Sequence, residues 1–145
     1  IDAVLQSILP QLDRKKAEKK AERWQTIALG AAKQSKRMQI PTVHMPVTFQ
    51  QALAMMAESD VRLMPYENAE GMEGTRKILE SIEPGESIAI LIGPEGGIDE
   101  AEVEMAMKEK VEPITLGKRI LRTETAGMTV LSILVYLLEG RERTR

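Results

Sequence analysis

Arg122 and Glu124 stand two residues apart in the stretch LGKRILRTETAGMTVLSILVYLL (116–138), between an apolar strand end and a run that is apolar on nearly every side. Charges held beside a buried helix are costly unless they face a partner or a ligand. A guanidinium placed there can donate to an anion developing on a substrate, and a nearby carboxylate can accept a proton or orient the arginine. A plainer reading pairs Arg122 with Glu124, or gives both to a helix start capped by Thr123 or Thr125. The second chemically suggestive stretch is Gly93-Pro94-Glu95-Gly96-Gly97. Its glycines permit positive φ and let a ligand approach the backbone. It has no Lys-Ser/Thr of a phosphate-binding loop and does not match GxGxxG. Glu95 would repel a phosphate, so the loop suits an uncharged or cationic ligand. Taken alone, it is equally well a tight strand–helix turn.

Both stretches need elements to position them. Ser87–Ile92 (SIAILI) is a continuous apolar run between turn signals, as expected of a strand buried on both faces of a parallel sheet. It leads into the glycine loop, after which Asp99 caps a helix of roughly Glu100–Lys110. Ile114–Leu116 reads as the next strand, broken at Gly117 before the basic segment Lys118, Arg119, Arg122. If these two strands are neighbours, their loops form one pocket with apolar walls from Ile92, Leu116 and Leu121. Upstream, alanines and Trp24 recur at helical spacing from Arg14, with Ala17, Ala21, Trp24, Ile27/Ala28 and Ala31/Ala32 on the inner face and Trp24 as a core anchor. The QSKR run and Pro41 end that helix. A loop around His44 follows, then a helix capped by Thr48 with Phe49, Leu53 and Met56 on one face. VRLMPY (61–66) reads as a strand that Pro65 demotes or terminates, followed by a polar loop and a short helix Thr75–Ile82. Ile1–Leu9 is a short apolar strand or helix, and Arg141–Arg145 a frayed polar tail. The order β-α-β-α-β-α with short links argues for α/β architecture.

The chain has 145 residues, 43% hydrophobic and 29% charged, which suits one globular domain. The absence of cysteine rules out a thiolate metal site, and His44 as the sole histidine leaves little for a zinc site or a Ser-His-Asp triad, so no metal is expected. No apolar run reaches the roughly 20 residues of a membrane span, so a cytoplasmic setting is the simplest expectation. The chain begins at Ile1, which leaves targeting and any preceding portion open. The net charge of −2 hides an asymmetry: Arg14–Arg37 holds nine Lys/Arg against two Glu, about +7, leaving about −9 elsewhere. That helix is either a solvated face or a phosphate-facing patch.

LIGPEGGIDEAEV followed by LGKRILRTETAGMTVLSIL closely resembles the catalytic domain of the bacterial 16S ribosomal RNA uridine-N3 methyltransferases, members of the SPOUT superfamily. RWQTIALGAAKQSKRMQIP and LMPYENAEG are also similar to that family, so the resemblance covers most of 23–138. Lys118 departs from a common proline and Lys36 from a common glycine. The resemblance implies a SPOUT trefoil-knotted parallel sheet with helices on both faces, over a catalytic domain at 1–145. It implies no counterpart here of the family's N-terminal PUA-like barrel, and leaves the first strand open to truncation.

By the same resemblance the cofactor is S-adenosylmethionine, held by Ile92, Gly93, Glu95, Gly97, Leu116, Gly117, Ile120 and Leu121. Its sulfonium carries positive charge and no phosphate, which agrees with Glu95. The implied partners are 16S ribosomal RNA in the small subunit and a second copy in a homodimer, with α-helical residues 126–138 as the apolar dimer face. Arg122 would be the donor to the uracil carbonyls and Glu124 a proton acceptor or an anchor for Arg122. Lys15, Lys19, Arg23, Arg37 and Arg119 would hold RNA phosphates. Competing readings are methylation of another base or RNA, and a non-catalytic RNA-binding or dimerisation module. Cofactor binding is expected of this chain, with weak RNA methylation.

Overall fold

The computed structural model of the chain describes residues 2–3, 14–67, 69 and 71–142, and only the backbone of residues 2, 3, 140 and 142. Its elements are β1 (Asp2–Ala3), α1 (Arg14–Gln34), β2 (Thr42–Val43), α2 (Phe49–Met56), β3 (Val61–Pro65), α3 (Met72–Glu80), β4 (Ile88–Ile90), α4 (Glu100–Lys108), β5 (Glu112–Ile114) and α5 (Thr123–Glu142). They fall into two compact units, Ile1–Ala54 and Met55–Arg145. Most of the apolar stretch Ile1–Leu9 lies outside the described residues. Among those residues, no helix is long and apolar enough to cross a membrane.

In the first unit β1 pairs parallel with β2. The long basic helix forms as expected, but its buried line follows the small residues Ala17, Ala21 and Ala32. Trp24 is half-buried, while Ile27 and Ala31 turn outward. The Gln25 side-chain amide fastens β2 to this helix, donating to the Pro41 carbonyl at 2.9 Å and accepting from the Val43 N–H at 2.8 Å. Thr48 does cap α2, and does so reciprocally. Its hydroxyl accepts from the Gln51 N–H at 3.2 Å, while the Gln51 side chain accepts from the Thr48 N–H at 2.9 Å. This capping box satisfies two otherwise orphaned donors.

The second unit is built on a parallel three-stranded sheet in the order β4-β3-β5. Pro65 therefore does not demote β3 to an edge. It closes the central strand, opposite Ile114, and its missing N–H falls where the ladder ends. Leu63 and Met64 are fully buried although alternation points them to opposite faces, so both faces of β3 are covered. The Leu63 face packs with Leu79 of α3, Ile82 just after that helix, Ile114 of β5, and Val130 and Leu134 of α5. β4 is shorter than the apolar run suggested and half-buried throughout; among the described residues it is an edge of this sheet, paired with β3 alone. β5 lies two residues earlier than expected; Thr115 and Leu116 run past the ladder's end. Of the expected polar tail, residues 143–145 lie outside the described residues, while the Arg141 guanidinium donates to the Ile82 and Glu80 carbonyls at 2.8 and 3.1 Å, tying α5 to the end of α3.

Two helices end on a lysine in the left-handed region, Lys36 at φ 56° and Lys110 at φ 59°. In each case the next residue's N–H reaches back five positions: Arg37 to the Ala32 carbonyl at 2.9 Å and Val111 to the Ala106 carbonyl at 3.0 Å. This closing turn favours glycine, since a Cβ there costs about 1–2 kcal/mol. Glycine loses roughly 0.5–1 kcal/mol more chain entropy on folding. Lys36→Gly and Lys110→Gly are accordingly expected to stabilise the chain by about 0.5 kcal/mol each. Urea unfolding measures this, and an unchanged or lower midpoint contradicts it.

Candidate functional site

β4 and β5 each run into a glycine-bearing loop at the carboxyl edge of the sheet. The two strands are not neighbours, as the pocket expectation supposed; β3 lies between them. Parallel sheets collect ligands outside this edge where the strand order reverses. Here a groove of about 980 Å³ opens, walled by 92–98 on one side and 115–123 on the other, with Pro65, Tyr66 and Glu67 at the end of β3 between them.

The first loop is built tightly. The Gly97 N–H donates to the Pro94 carbonyl at 2.9 Å, and Asp99 then caps α4 through the Ala101 N–H at 3.1 Å. Gly93 is needed for close approach: a Cβ there would lie 2.5 Å from Cγ1 of Ile98. The second loop turns at Gly117, whose φ of +116° no side chain tolerates well. Lys118, Arg119 and Ile120 then swing into solvent, with Ile120 82% exposed. α5 starts at Thr123, its first intrahelical bond running from the Ala126 N–H to the Arg122 carbonyl at 2.8 Å. Neither threonine caps it as expected. Thr123 instead donates its hydroxyl to the Gly93 carbonyl at 3.1 Å and so joins the two loops directly.

The groove brings together Ile92, Gly93, Glu95, Gly97, Leu116, Gly117, Ile120 and Leu121, with Arg119 and Arg122. Glu124 is not among the lining residues; it is exposed in the first turn of α5 and forms no ion pair with Arg122 among the described residues. Arg122 is exposed too, so the presumed cost of charges beside a buried helix is not incurred: they sit at the groove's rim. Lys15, Lys19 and Arg23 are exposed at successive four-residue steps of α1, and Arg37 lies beyond its end; all four belong to the first unit. Pro65, Tyr66, Thr115, Thr123 and Ala126 also line the groove, beyond the residues expected from the sequence. The Pro-Tyr-Glu run at the end of a strand was the available signal for the first two. Carboxylates Glu67, Glu95 and Glu100 line the groove along with cations Lys118, Arg119 and Arg122.

The opposite end of the strands is structural. A smaller cavity of about 250 Å³ lies there beside Asp60, Arg62 and Lys110. Arg62 is engaged by the carbonyls of Ser59, Glu109 and Ala57 at 2.8–3.2 Å. The Ser87 N–H and hydroxyl bond Asp60 at 2.8 and 2.7 Å and hold its carboxyl below the ordinary value. Because the folded value is depressed, that contribution to stability is complete above the ordinary carboxylate pKa and is lost as pH falls through the lowered one.

The Gly93–Ile98 contact makes a specific expectation. Gly93→Ala should destabilise by about 1–3 kcal/mol through overpacking. In an Ile98→Ala background the same change should cost much less. Thermal unfolding of the four combinations measures the coupling, and simple additivity contradicts the close approach as its cause.

The family model for the RNA methyltransferase domain matches residues 5–135. The chain is 42% identical over 132 residues to ribosomal RNA small subunit methyltransferase E of Bacillus subtilis, covering 89% of this chain and 52% of that protein. A ribosomal RNA small subunit methyltransferase E of Neisseria gonorrhoeae, solved bound to S-adenosylmethionine, superposes with TM-score 0.74 at 32% identity, covering 94% of this chain and 54% of that one. A putative methyltransferase of Legionella pneumophila, solved with the same cofactor, gives TM-score 0.77 at 29% identity, covering 93% and 54%. The chain thus spans about half the length of the relatives it matches. With its parallel α/β sheet and its two-loop groove, it belongs to the RNA methyltransferase domain family.

Proposed function

We propose that this chain is the catalytic portion of an S-adenosylmethionine-dependent enzyme that methylates N3 of a uridine in 16S ribosomal RNA of the small subunit. The observation that carries the reading is the groove at the carboxyl edge, in which both resemblance-bearing loops meet. The residues present suit the cofactor. Ile92, Leu116, Leu121 and Ala126 offer apolar surface to an adenosine, and the glycines expose backbone donors and acceptors. Glu67 and Glu95 supply negative charge for a sulfonium, while the cations Lys118, Arg119 and Arg122 stand exposed on the second loop.

S-adenosylmethionine supplies an electrophilic methyl group on sulfur. The chain's work is to bind, orient and stabilise. Uridine N3 carries an imide proton, so the base becomes anionic as that proton leaves, and its carbonyl oxygens take up charge. Arg122, exposed at the rim and making no ion pair among the described residues, donates to those oxygens. Glu124 is exposed and does not line the groove; its part is that of an orienting or proton-accepting group for substrate bound over the rim. N3 is engaged in pairing within an RNA helix, so the target uridine is unpaired or flipped out. Lys15, Lys19, Arg23, Arg37 and Arg119 bind RNA phosphates, with the salt dependence that implies. The remaining parts of the reading are a trefoil knot in the chain path, residues 1–145 as one catalytic domain, a cytoplasmic setting that follows from the ribosomal substrate, and a homodimer. The outer side of α5 supports the last. Met128, Leu131, Val135 and Tyr136 are 50–81% exposed there, opposite the buried Val130 and Leu134.

Incubation with unmethylated small subunits and S-adenosylmethionine, followed by nucleoside mass spectrometry, is expected to yield 3-methyluridine. Arg122→Ala is expected to lower turnover by about 10²–10³-fold with cofactor affinity retained. Near wild-type turnover in that variant removes Arg122 from the donor role, and a different methylated nucleoside redirects the specificity.

A further inference from the structure

We propose that Thr75, which does not line the groove, is the positioning residue that sets the conformation of the second cofactor loop, acting through Thr115. The starting observation is where the sheet stops. The last β3–β5 pair is Pro65 with Ile114, and the Ile114 carbonyl accepts from the Tyr66 N–H at 2.9 Å. One residue later, the buried N–H of Thr115 has no strand to donate to, and a buried amide must find an acceptor. Thr75, on the first turns of α3, provides it: its hydroxyl oxygen accepts from the Thr115 N–H at 2.9 Å.

The relay continues into the loop. The Thr115 hydroxyl lies 3.3 Å from both the nitrogen and the carbonyl oxygen of Gly117, accepting from one and donating to the other. Thus the residue at φ +116°, where the chain leaves the sheet to form the groove wall, is held by two hydroxyls in series. These are the two polar side chains of the described core, with Thr75 4% and Thr115 9% exposed. Thr115 touches the groove and Thr75 does not. A helix residue outside the site therefore determines where the Gly117 backbone stands within it. Tyr66 and Glu67 at the groove's floor precede α3 in the chain, and α3 carries the prop for the far wall.

This assignment rests on the reading of the groove as a cofactor site, and two readouts separate the two claims. The first is amide hydrogen exchange in the ligand-free chain, and the second is calorimetric affinity for S-adenosylhomocysteine. Thr75→Val keeps the shape and removes the acceptor. It is expected to speed exchange at Gly117 by about tenfold, as loss of one net hydrogen bond predicts, with the Leu63 and Leu91 amides unchanged, and to weaken the nucleoside by a similar factor. Thr75→Ser keeps the acceptor and is expected to restore both. Thr115→Val cuts the relay one link later and serves as the second variant, with the same Gly117 signature. Unchanged Gly117 exchange in Thr75→Val overturns the proposal, as does a general acceleration across the sheet, which would mark a merely structural threonine. If Gly117 responds but the wild-type chain binds no S-adenosylhomocysteine, the relay stands and the cofactor reading falls.

Discussion

The hydrogen-bonded register of β3 with a parallel neighbour on each side governs the rest of the second unit. Ladder spacing places β4 and β5 about 10 Å apart with β3 between them, and parallel direction delivers both of their loops to the same edge. From that follow a groove wide enough for a nucleoside and a floor supplied by the end of β3. The central position also explains why Leu63 and Met64 are both fully buried and why Pro65 is tolerated only as the strand's last residue.

A sheet edge alone leaves loops free to wander, and here short polar contacts restrain them. Thr123 ties α5 to the Gly93 carbonyl, so the start of the last helix is fastened to the first loop. Gly93 lets Ile98 close over the loop from within, and the Thr75–Thr115 pair holds Gly117 from behind. Preorganisation of this kind reduces the entropy that a ligand would otherwise have to overcome on binding. The exposed residues Lys118, Arg119, Ile120 and Arg122 occupy the remaining open side, where a large polyanionic substrate could reach them.

What was legible in the sequence was local. The glycine loop after SIAILI, the Gly117 break, the Asp99 and Thr48 caps and the long basic helix all rest on short-range rules of turn chemistry and periodicity. Strand order was not legible, since an apolar run does not say which strand it joins. Hence SIAILI read as a strand buried on both faces although, among the described residues, it forms an edge, and two loops expected from neighbouring strands turned out to flank a third. Thr123 was misjudged for a related reason: a threonine before a helix is a good cap by local rules, and only the fold brings the Gly93 carbonyl within its reach. Arg122 and Glu124 seemed costly because their neighbours in sequence are apolar, whereas in space they stand at a rim. Lys36 and Lys110 show the converse, since the left-handed turns they occupy are the kind that glycine usually marks.

The central claim is that the two loops of one sheet edge hold an S-adenosyl nucleoside. Backbone amide shift mapping during titration with S-adenosylhomocysteine tests it most directly. Saturable shifts concentrated at 92–97 and 116–121, with smaller ones at Tyr66 and Glu67, are the predicted result. Largest shifts around Asp60 and Lys110, or none at millimolar nucleoside, would contradict it.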